Sequence, residues 1–138
     1  MPKVWWILIG TYDLTNHCSA EATLMGVVAV VEEMLWQRPN DIIVINCILP
    51  RPRNKMGSLR GKLWIKTDWI NQRLECFAKG YSNVEYYDAS DLFLNKDHSK
   101  AIKNHYADDW IHPSAFRTQK WGEAIVEKVE GLIHDKRA

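Results

Sequence analysis

The sequence predicts an α/β protein in which one parallel sheet is sandwiched between helices. Three observations carry the prediction. Apolar runs of strand length recur at residues 4–9 (VWWILI), 42–49 (IIVINCIL) and 84–88 (VEYYD). Longer stretches between and after them repeat their apolar residues at helical spacing. No internal repeat or linker interrupts the series, so residues 1–138 read as a single domain. Alternating strands and helices build βαβ units, and their strands run parallel.

Each element has a local cause. Residues 4–9 are continuously apolar and end at Gly10, the pattern of a strand buried on both faces. Gly10-Thr11-Tyr12-Asp13-Leu14 then leaves the strand. Ser19 is a suitable N-cap, and Glu21 falls in the first turn, where a carboxylate favours the helix dipole. Leu24, Val27, Val28, Val31 and Leu35 form a core-facing stripe, and Arg38-Pro39-Asn40-Asp41 ends that helix. The second buried strand, 42–49, stops at Pro50-Arg51-Pro52-Arg53. Trp64, Ile65, Trp69, Ile70, Leu74 and Phe77 mark another helix, ending at Gly80. A shorter third strand follows at 84–88, and residues 88–105 read as a long polar loop with a helical turn. The last helix begins after Ser114 and turns Trp121, Ile125, Val129 and Leu132 inward.

Bulk properties narrow the function. The chain is 46% hydrophobic and 25% charged, with a net charge of +1. Nothing in that balance steers it toward nucleic acid. No apolar run has transmembrane length, and no signal peptide is read at the start; if this is the whole chain, a cytoplasmic location is expected. Cys18, Cys47 and Cys76 are odd in number and widely spaced. They suit neither a disulfide framework nor a zinc site, and read as buried free thiols. No metal and no organic cofactor is implied.

The chemistry converges on one rim. Ligands of open parallel sheets bind beyond the carboxyl ends of the strands. Residues 10–13, 50–53, 88–91 and 109–112 all fall there. Among them, Asp109-Trp110-Ile111-His112-Pro113-Ser114 is the most informative. Pro113 favours an extended backbone at His112, and Ser114 can cap the helix that follows. His112 therefore sits on a loop at a helix start, from which an imidazole can point into a cleft. Asp109, three residues back, can orient the ring and fix its tautomer.

Asp109-x-x-His112-Pro113-Ser114 before a C-terminal helix resembles the last sequence block of the GDSL/SGNH hydrolases, esterases and lipases of flavodoxin-like fold. The resemblance implies a three-layer α/β/α parallel sheet, here truncated to about three strands. It also implies catalytic roles for His112 and Asp109. Gly10-Thr11-Tyr12-Asp13 is similar to the family's Gly-x-Asn-Asp block, which places Gly10 and Tyr12 in the oxyanion region and gives Asp13 a structural role. Residues 41–51 and Tyr86-Tyr87-Asp88 with Asp91 resemble the family's following strands.

Two departures matter. Tyr12 stands where the family has Asn; its hydroxyl can donate a hydrogen bond but reaches farther than an amide. The Gly-Asp-Ser nucleophile block and its strand do not occur in this sequence. Ser58 follows a glycine but has no strand to display it. Cys18, ahead of a helix, is the other nucleophile to weigh. The resemblance thus implies the Asp/His part of an ester hydrolase acting on a small-molecule ester once completed. The alternative is a non-catalytic α/β binding or interaction remnant of that fold. In the family's strand order, residues 4–9 would become an open edge. That edge would pair with a missing N-terminal segment, a second copy of the chain or another chain.

Overall fold

The computed structural model describes residues 2–52, 59, 61–98, 100–102, 105–107 and 112–137. Among these, three parallel strands form one sheet in the order β1-β2-β3: β1 is Val4–Ile7, β2 is Ile42–Asn46 and β3 is Val84–Tyr87. Helices α1 (Thr11–Thr15) and α2 (Ala20–Gln37) lie between β1 and β2, α3 (Lys62–Ala78) between β2 and β3, and α4 (Ala115–Arg137) closes the chain.

The alternation of β2 generates the layers. All five of its residues are buried, so each face needs its own cover. Ile43 and Ile45 pack with Val27 and Val31 of α2 and with Ile70 and Leu74 of α3. Ile42 and Val44 face the other way and pack with Leu132 of α4. A third cluster, built on Cys47, Leu49, Phe93 and Tyr106, fills the space beyond the sheet's carboxyl end. The result is a three-layer α/β/α fold on a three-stranded parallel sheet.

The caps follow the sequence. The Ser19 hydroxyl accepts from Ala22 N–H at 3.0 Å, and that of Ser114 accepts from Arg117 N–H at 3.2 Å. The strands are shorter than the apolar runs. β2 stops at Asn46 because its neighbours stop at Ile7 and Tyr87; Asn71 of α3 then satisfies both backbone groups of Ile48, at 2.8 and 2.9 Å. β1 is also not buried on both faces. Val4, Trp5 and Trp6 are half-buried, and Ile9 is exposed. The physical reason is position: among the described residues no strand lies beyond β1. The thiols differ as well, since Cys47 is buried, Cys18 partly buried and Cys76 exposed.

Candidate active site

At the carboxyl end of the sheet lies a cleft of about 610 Å³, with walls mainly of apolar side chains. Gly10, Tyr12, Asp13 and His112 all line it. Residues more than a hundred positions apart therefore meet at one opening, and each is brought there by a local device.

Gly10 makes the turn out of β1. Its φ is 111°, a conformation L side chains rarely adopt. A Cβ there would sit 2.9 Å from Ile48 Cδ1. The Gly10 carbonyl accepts from Leu14 N–H at 3.2 Å, starting α1. This one-and-a-half-turn helix is not apparent in the sequence pattern. It carries Tyr12 and Asp13 at the cleft mouth, where the Tyr12 ring is 78% exposed.

His112 is held by its backbone. Ala107 N–H donates to the His112 carbonyl at 2.8 Å, and Ser114 N–H donates to the His105 carbonyl at 2.9 Å. Tyr106 and Pro113 form an antiparallel bridge between those two bonds. The loop is therefore clamped at its base. Tyr106 anchors the clamp to the end of β2, its buried hydroxyl donating to the Pro50 carbonyl at 2.5 Å. Burial pushes the Tyr106 phenol well above the ordinary tyrosine range, so it serves as a neutral donor. The His112 side chain emerges from this base exposed and facing the cleft. Asp109 lies outside the described residues, as does Ser58. The turn at 88–91 reaches the same end of the fold but does not line the cleft; Asp91 instead meets His98 at 2.5 Å.

Three further residues shape the site. Asn46, fully buried at the end of β2, accepts two indole N–H groups on Oδ1: Trp6 at 3.0 Å and Trp121 at 3.1 Å. Trp121, on α4, is thereby fixed as a cleft wall. Arg51 also lines the cleft, its Nη1 donating to Thr15 Oγ1 at 2.6 Å. A polar Asn inside a buried strand was the available signal for the first of these, because such a group must find partners. The sequence pattern places Trp121 only in the core, and Arg51 on the rim within 50–53 without a role.

No family model matches the chain, and no curated protein matches it in sequence. Solved structures do match in fold. One is a Streptococcus pneumonia protein provisionally described as a platelet activating factor (TM-score 0.78, 19% identity, 92% of this chain and 59% of that one). A second is a carbohydrate esterase family 3 protein from Talaromyces cellulolyticus (0.73, 18%, 97% and 60%). A third is an acetyl esterase, a serine-to-alanine mutant with an acetate ion (0.73, 19%, 97% and 60%). The chain thus shares the α/β fold of these solved structures. It spans about 60% of the length of these relatives.

Proposed function

We propose that this chain carries the Asp/His part of an SGNH-type hydrolase that cleaves carboxylic esters through an acyl-enzyme. The observation that carries the reading is the cleft, in which His112 faces the turn of Gly10 and Tyr12 across an apolar opening. His112 is the general base: its ring takes the proton from a serine hydroxyl as that oxygen attacks the ester carbonyl, then returns it to the departing alcohol. Asp109 orients the imidazole and stabilises its cationic form. The backbone at Gly10 and the Tyr12 hydroxyl supply the oxyanion side, and Asp13 supports that turn. The serine comes from a strand and Gly-Asp-Ser segment outside these 138 residues, seated against the β1 edge; a second copy of the chain is the other occupant of that edge.

The test is hydrolysis of p-nitrophenyl acetate. The chain alone gives at most trace turnover, insensitive to Ser58→Ala and Ser114→Ala. Joining a strand and Gly-Asp-Ser segment of an SGNH hydrolase ahead of Val4 produces turnover, and His112→Ala lowers it by about 10²–10⁴-fold. Robust turnover by the chain alone, abolished by Cys18→Ala, would make the thiol the nucleophile. A chimera that unfolds cooperatively yet shows no turnover favours the binding remnant, which Tyr12 in place of Asn also favours.

A further inference from the structure

The cleft has one feature that ester hydrolysis does not need. Arg51 lines the cleft, half-buried. Among the described residues its guanidinium has one tether, Nη1 donating to Thr15 Oγ1, which in turn donates to the Thr11 carbonyl at 3.0 Å. Among the described residues it has no carboxylate partner; the Asp13 carboxylate lines the same cleft without forming an ion pair with it. A guanidinium has five N–H donors in a planar fork. One tether orients the fork and leaves most of its donors for a ligand.

From this we infer that the cleft recognises a carboxylate through Arg51, so that its substrate is an ester carrying a free carboxylate at the end of a short apolar chain. The inference rests on the ester-hydrolase reading of the same cleft and adds the substrate class. Three features select that class. The walls, including Leu8, Leu49 and Trp121, accept an apolar chain. The planar fork matches a carboxylate through two parallel hydrogen bonds. Asp13 adds one negative charge to the same opening, which favours a monoanion over a phosphate dianion.

The experiment is an NMR titration of the full chain with hexanoate, its neutral analogue hexanamide, and hexyl phosphate, at low salt. Hexanoate binds at least about tenfold more tightly than hexanamide, the scale of one charge-assisted hydrogen-bonded pair. It shifts the Arg51 Nε–H and the His112 ring signals. Arg51→Gln removes the preference, and Arg51→Lys, which retains charge but not the fork, keeps part of it. Thr15→Val retains the guanidinium and removes its tether; hexanoate then binds more weakly while hexanamide is unchanged. Equal affinity for hexanoate and hexanamide overturns the inference and leaves the ester reading intact. So does a hexanoate preference that survives Arg51→Gln, or tighter binding of hexyl phosphate. If none of the three ligands moves the His112 signals, the cleft is not the substrate site and both readings fall.

Discussion

Next to the Tyr106–Pro113 bridge two basic side chains meet, and their contact makes stability depend on pH. His105 is buried, and its Nε2 is paired with Arg117 Nη2. A guanidinium can only donate, so the imidazole accepts and must be neutral. Burial first, and the Arg117 charge second, hold the His105 pKa below its ordinary value of 6.5. The sign follows by linkage. The unfolded chain takes up a proton at His105 as pH falls through about 6.5, while the folded chain resists until lower pH. The stability due to the neutral form is therefore complete above that value and is lost as pH falls through the depressed folded pKa. Urea midpoints should fall as pH drops below about 6.5, and His105→Gln should flatten that part of the profile.

Gly10 and Asn46 set two further expectations at the same scale. Gly10→Ala meets both a strained φ and Ile48 Cδ1 at 2.9 Å; it should lower stability by about 1–3 kcal/mol in urea denaturation. Asn46→Ala strands two indole donors and opens a cavity, for a loss of about 2–4 kcal/mol. Because Trp121 then loses its tether, its fluorescence should also respond more strongly to ligands in the cleft.

Among the elements, the long helices were most legible, and α1 and the burial of β1 least. The stripes of α2 and α3 and the caps Ser19 and Ser114 could be read directly, since helical spacing and a hydroxyl at the first turn are local signals. The strand positions were legible too. Their lengths were not, because a strand ends where its neighbour ends, as Ile48 does by turning to Asn71 instead of a strand. An apolar run also does not reveal whether it lies at an edge: residues 4–9 carry a central strand's composition, yet β1 is half-buried. The cleft was legible as a rim rather than as a list. Gly10, Tyr12, Asp13 and His112 line it, as does Arg51 of the 50–53 rim segment, but the Thr15 tether of Arg51 and the packing that brings Trp121 there are encoded in no spacing. Trp6 is also more than an edge residue. Its ring packs 4.9 Å from Tyr87, and its N–H is committed to Asn46. Trp6→Lys should therefore destabilise the fold itself, visible as a lower urea midpoint and not only as reduced association.

For the whole molecule, the β1 edge and the 60% span of the relatives' length bear on one question. An apolar edge strand is a template for another chain. The chain by itself should self-associate, its sedimentation coefficient rising with concentration up to about 50 µM, where exposed edges associate. A monomer with cooperative unfolding across that range would mean the edge is covered within this chain. The catalytic assignment is independent of that outcome and rests on His112 as a base oriented by Asp109. Nitrogen-15 NMR of the His112 ring tests it most directly. A base oriented by Asp109 donates its Nδ1–H to the carboxylate in a hydrogen bond and turns the Nε2 lone pair toward the cleft. That tautomer should be present in the chain and lost in Asp109→Asn. An Nε2–H tautomer that Asp109→Asn leaves unchanged would contradict the assignment.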